Sequence, residues 1–103
     1  MTNTAQPAIV LIAEDDADDM AITMRALREG YPGISITTVQ DGEELMDYLH
    51  GRGAYTNPTE APRPSLILLD LNMPRKSGRE ALAEIKADDN FRSIPIVVFT
   101  TSS

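Results

Sequence analysis

Cysteine and tryptophan are absent from these 103 residues, and histidine occurs once. Without cysteine there are no disulfides, no thiol nucleophile and no cysteine-ligated zinc. Aromatic residues make up only 5% of the chain, which leaves the core to aliphatic side chains. Basic residues are also scarce, nine against sixteen acids, for a net charge of −7. That balance argues against nucleic acid or anionic lipid as the main partner, because both need basic patches. No apolar run is long enough to cross a bilayer. Met1 to Pro7 lack the apolar core of a signal peptide, so the cytoplasm is the expected location.

What remains is an ordinary globular composition, 42% hydrophobic, of a length that suits one domain. Two apolar runs end in acid. Ile9 to Ala13 leads into Glu14-Asp15-Asp16, and Leu66 to Leu69 leads into Asp70. Short runs of this kind read as strands buried on both faces. Ile34 to Val39 is β-branched and reads as a second strand, and Ile96 to Phe99 as a fourth, opened by Pro95.

Helical spacing lies between them. Asp16 caps a first helix with Met20, Met24 and Leu27 on its apolar face, ended by Gly30. Asp41 caps a second helix carrying Leu45, Met46 and Leu49. A third carries Leu82 and Ile85 and stops at Asp88-Asp89-Asn90. The methionine and leucine stripes read as core. Gly51 to Pro64, interspersed with glycine and proline, is a long loop. The order βαβαβαβ implies a parallel sheet with helices on both faces. Acids just past the strands then gather at the carboxyl edge, where such folds bind ligands.

Two carboxylates about 5 Å apart at an effective dielectric of about 20 repel by about 3 kcal/mol. Raised pKa values are one answer and a hard divalent cation is the other. Beside Mg²⁺, an aspartate can act as a nucleophile towards phosphorus. A strand ending in Asp also resembles the magnesium strand of P-loop nucleotidases, but no G-x-x-x-x-G-K-[ST] occurs, and Gly51-Arg52-Gly53 does not supply one. Glu14-Asp15-Asp16 taken alone could simply start a helix. Thr100 alone reads as a strand-end residue. Arg75, Lys76 and Arg79 read as solvated, and His50 as a surface residue at a helix end.

Taken together, Glu14-Asp15, the segment Asp70-x-x-Met73-Pro74-x-x-x-Gly78, and Thr100 resemble the response-regulator receiver domain. The resemblance runs from Ile9 to Thr101. Arg79 to Lys86 and the Gly/Pro loop look like small regulators paired with phytochrome-type histidine kinases. The resemblance implies a flavodoxin-like doubly wound sheet of order 2-1-3-4, with residues 1–103 forming a receiver truncated after its fourth strand. The fifth strand, last helices and phosphoryl-pairing lysine of the family are then missing from this chain, and Lys76 is not that lysine. Strand four becomes an edge, which invites a homodimer or swapped oligomer.

The implied activity is phosphoacceptance and not metabolic turnover. A sensor histidine kinase is the implied partner, and the output is a change of surface conformation. Asp70 would take the phosphoryl group with Mg²⁺ as cofactor. Asp15 and Asp70 would ligate the ion directly, Glu14 through water, and Asn72 by its backbone carbonyl. Thr100 would hydrogen-bond the phosphoryl oxygens and switch, with Thr101 beside it tuning access. One alternative is a phosphatase or phosphotransferase using an aspartyl intermediate. Asn72 stands against it, because such enzymes often place an acid two residues after the nucleophile. The other alternative is a receiver-like interaction module that is never phosphorylated.

Overall fold

A computed structural model of the chain describes residues 8–100. Four strands, β1 Ile9–Ala13, β2 Ser35–Val39, β3 Leu66–Asp70 and β4 Ile96–Phe99, form one parallel sheet in the order β2-β1-β3-β4. Three helices connect them: α1 Ala17–Gly30, α2 Gly42–His50 and α3 Gly78–Ala87. The expected elements are all present, with boundaries that agree closely with the apolar pattern.

The topology places the helices. β1 to β2 steps one way along the sheet, while β2 to β3 and β3 to β4 step the other way. Right-handed crossovers therefore put α1 on one face and both α2 and α3 on the opposite face. Alternation along the strands agrees. Leu11, Ala13, Ile67 and Leu69 join Leu45, Met46, Ala81 and Ile85 in one buried cluster. Val10 and Ile12 point the other way and are also buried. Tyr48 is buried within the cluster and donates its hydroxyl to the Pro62 carbonyl at 2.8 Å.

Local chemistry explains the helix ends. Asp16 accepts from the amides of Asp18 and Asp19, and Asp41 from that of Glu44. Ser77 and Glu80 form a reciprocal capping box at the start of α3. Gly51 closes α2 in the left-handed conformation, at φ 67°. Gly30 does not play that part. It is the last residue of α1, and the cap is Tyr31, whose amide donates to the Leu27 carbonyl. The long loop before β3 holds one turn of 3-10 helix, Gly53–Tyr55.

One expectation fails. The stripe of α1 is not core, since the helix has no buried residue and Ile22 is 67% exposed. Met20, Met24 and Leu27 are only half-buried, because no element among the described residues closes over their outer side. Among the described residues β4 lies at one edge of the sheet, with Val97 and Val98 exposed.

Candidate functional site

The sheet order changes direction between β1 and β3, which makes their carboxyl ends the switch point at which open α/β sheets bind ligands. Ala13 pairs with Leu69, so continuing the register brings Glu14 level with Asp70. Glu14 extends the ladder through its amide, which donates to the Val39 carbonyl at 3.0 Å. Phe99 pairs with Asp70, which puts Thr100 just past the same edge, exposed to solvent. Thr101 lies outside the described residues.

Three carboxylates converge here. One oxygen each from Glu14, Asp15 and Asp70 lies within 4.8 Å of the others. Their surroundings differ. Asp70 is fully buried, and its Oδ1 accepts the Asn72 amide at 2.9 Å. Glu14 is buried, with Oε2 accepting the Asp16 amide at 2.9 Å and Oε1 left without a hydrogen-bond partner. Asp15 is exposed. Burial pushes the Glu14 carboxyl up from 4.5 to about 7; the negative charges of Asp70 and Asp15 add to the rise and the Asp16 amide opposes it.

A buried oxygen with no donor, facing two further carboxylates, suits a hard divalent cation. Such an ion takes carboxylate oxygens and removes both the repulsion and the unmet acceptor. The donor set contains no nitrogen or sulfur, which favours Mg²⁺ or Mn²⁺ over softer metals. Residues expected to serve the site are thus brought to one edge: Glu14, Asp15 and Asp70 in a cluster, Asn72 two residues beyond Asp70, and Thr100 at the end of the neighbouring strand.

Beside them stands a pair that the linear pattern conceals. Arg75 is exposed, as expected, but it is also paired. Its guanidinium binds Asp41 and lies 3.4 Å from a Glu43 oxygen, and these carboxylates raise its pKa further. Lys76 likewise pairs with Glu84. Arg79 is exposed, as expected. His50 ends α2, exposed, with its ring edge-on to Phe91.

Comparison with known proteins points the same way. A family model described as the response regulator receiver domain matches residues 10–103. The response regulator Rcp1 of Synechocystis sp. is 42% identical over 96 residues, covering 93% of this chain and 63% of its own length. The chain therefore spans under two thirds of that relative. Among solved structures, the phosphorylated cyanobacterial phytochrome response regulator RcpA superposes with a TM-score of 0.85 at 44% identity, over 94% of this chain and 67% of that one. The Mn²⁺-bound form of Rcp1 gives 0.84 at 41% identity, over 93% and 67%.

Proposed function

This chain belongs to the response-regulator receiver family of two-component signalling, and from that premise we propose that Asp70 is its phosphoacceptor and that Mg²⁺ is its metal. The observation that carries the proposal is the convergence of Glu14, Asp15 and Asp70 at the switch point, with a buried Glu14 oxygen unsatisfied. Asp15 and Asp70 would hold the ion directly, Glu14 through water, and Asn72 through its carbonyl. When bound, the ion neutralises charge on the oxygens of the transferring phosphoryl group.

The chain's own residues do the rest. An oxygen of Asp70 attacks the phosphorus of a phosphohistidine on a sensor kinase. The new O–P bond forms as the P–N bond breaks, and the imidazole departs with that electron pair and takes a proton from solvent. The Asn72 amide, already on Asp70 Oδ1, orients the carboxylate. Thr100, at the end of β4, donates its hydroxyl to a phosphoryl oxygen and moves inward to do so. Water later hydrolyses the acyl phosphate slowly. The chain thus serves as a switch and turns over no external substrate.

We read the partner as a phytochrome-type histidine kinase, by similarity to Rcp1 and RcpA, and the location as cytoplasmic. No helix among the described residues is long and apolar enough to cross a membrane. We read residues 1–103 as belonging to one receiver unit.

The test is incubation of the full chain with Mg²⁺ and a small phosphodonor such as acetyl phosphate, followed by intact mass. Wild type is expected to gain one phosphoryl group, and to gain none when the metal is chelated before the donor is added; Asp70→Asn is expected to gain none. Equal incorporation into Asp70→Asn would remove Asp70 as the acceptor.

A further inference from the structure

The segment that follows Asp70 is held from outside by residues that the proposed transfer does not use. Gly42, the first residue of α2, donates its amide to the Lys76 carbonyl at 2.9 Å. The approach is so close that a Cβ at Gly42 would lie 2.2 Å from that oxygen. One residue earlier along each strand of this contact, Arg75 meets Asp41. The Arg75 Nε and Nη2 both donate to Asp41 Oδ2, at 2.9 and 2.5 Å. Asp41 is 6% exposed, and its other oxygen accepts the Glu44 amide at 2.8 Å. Both oxygens of a buried carboxylate are thus engaged, one capping α2 and one gripping the loop.

Arg75 is also the one non-glycine residue with positive φ, 61°, among the described residues. A side chain disfavours that backbone conformation, so something must hold it there. A two-pronged ion pair to a buried acid does so. A guanidinium suits the task because its planar fork fixes direction as well as distance. At the far end of the same loop Gly78 packs directly on the end of β3, where a Cβ would lie 2.1 Å from the Asp70 carbonyl oxygen. Residues 71–77 therefore run between Asp70 and a rigid helix start, with their middle tied to α2.

We infer that Asp41 and Arg75 form a latch that positions the loop of residues 71–77, and with it the Asn72 carbonyl, for the divalent cation. The inference rests on the metal reading of the site given above. Asp41 and Arg75 are positioning residues that touch neither metal nor phosphoryl group.

Charge and position predict opposite signs for one variant. If Arg75 acts only as a nearby cation, Arg75→Ala strengthens Mg²⁺ binding, because a repelling charge is gone. If it acts as a latch, Arg75→Ala weakens binding, as Asp41→Asn does. Asparagine at position 41 retains the helix cap, so the fold is kept.

The experiment uses the full chain, with Mg²⁺ titrated calorimetrically into wild type, Arg75→Ala, Asp41→Asn and Arg75→Lys. Amide hydrogen exchange of residues 71–77 is followed without metal. The latch predicts a rise in Kd of about ten-fold in both Arg75→Ala and Asp41→Asn, as for groups that orient a metal ligand. It also predicts faster exchange across the loop, partial recovery in Arg75→Lys, and a phosphorylation rate restored at saturating Mg²⁺. Tighter Mg²⁺ binding by Arg75→Ala, or unchanged exchange in both variants, would overturn it. A wild type that takes up no Mg²⁺ would overturn the metal reading and the Asn72 part of the inference, and the exchange result would then decide the latch by itself.

Discussion

The two faces of the sheet are finished differently. Under α2 and α3, Leu11, Leu45, Ile67, Leu69 and Ile85 are wholly buried, and the loop after Asp70 is tied to α2 at two successive residues. On the other face α1 covers Val10 and Ile12 yet has no fully buried side chain of its own. The acid cluster straddles the seam. Asp70 ends β3, whose Ile67 and Leu69 face the packed side, while Glu14 and Asp15 lead into the less buried helix. A receiver must keep its acceptor fixed while charge is added and removed, and the packed face supplies that rigidity.

Paired truncations give the largest expected contrast. Ile85→Ala, on the packed face and with no exposure, should cost about 4 kcal/mol by loss of burial and creation of a cavity. Ile22→Ala, on α1 and 67% exposed, should cost less than about 0.5 kcal/mol. Urea denaturation of both variants measures the difference. Equal losses would mean that the two faces are packed alike in solution.

The cluster itself comes next. The Glu14 carboxyl titrates near 4.5 when unfolded and near 7 when folded. Between those values the folded chain holds the proton more tightly than the unfolded one. The contribution of Glu14 to stability is therefore greatest below about pH 4.5 and is lost as pH rises through about 7. A rise of that size corresponds to a free-energy change on the order of 3 kcal/mol, shared with the acids it faces. Glu14→Gln should accordingly raise the metal-free midpoint at about pH 8 by an amount worth about 2 kcal/mol and flatten the pH profile. The same substitution should shrink the stabilisation that Mg²⁺ gives to wild type, a gain itself larger above pH 7 than below it. A variant that melts below wild type without metal at about pH 8 would show that Glu14 is not the strained member of the cluster.

Which of these features can be read from the sequence follows from how local they are. The strands and the acid edge announce themselves, because each apolar run ends in its own carboxylates; the sheet order is legible only through the family resemblance. The caps at Asp16 and Asp41 are equally local. Arg75 with Asp41 is not, since 34 positions separate them and nothing in either neighbourhood names the other. Ser77 with Glu80 carries a recognisable capping-box spacing, S-x-x-E, and so could have been found. The α1 stripe shows the converse problem. Met20, Met24 and Leu27 have the period of a buried face, but period reports that a helix is amphipathic and not what covers it.

The two helix caps flanking the site offer the smallest and sharpest comparison. Ser77→Ala removes a capping box from α3, which is packed against the core, so its loss of about 1 kcal/mol should appear in global unfolding. Asp16→Ala removes two amide contacts from α1, a loss of similar size taken alone. Asp16 also sits next to Asp15, so the substitution removes a negative charge beside three carboxylates, and this repays part of the lost cap. Because α1 has no fully buried residue, what is lost should appear as local fraying rather than as global instability. The net change in global stability should be within about 0.5 kcal/mol, with faster amide exchange confined to the first turn of α1. A global loss from Asp16→Ala as large as that from Ser77→Ala would mean that α1 unfolds with the rest of the sheet, and that the looser face is loose only in its exposed surface.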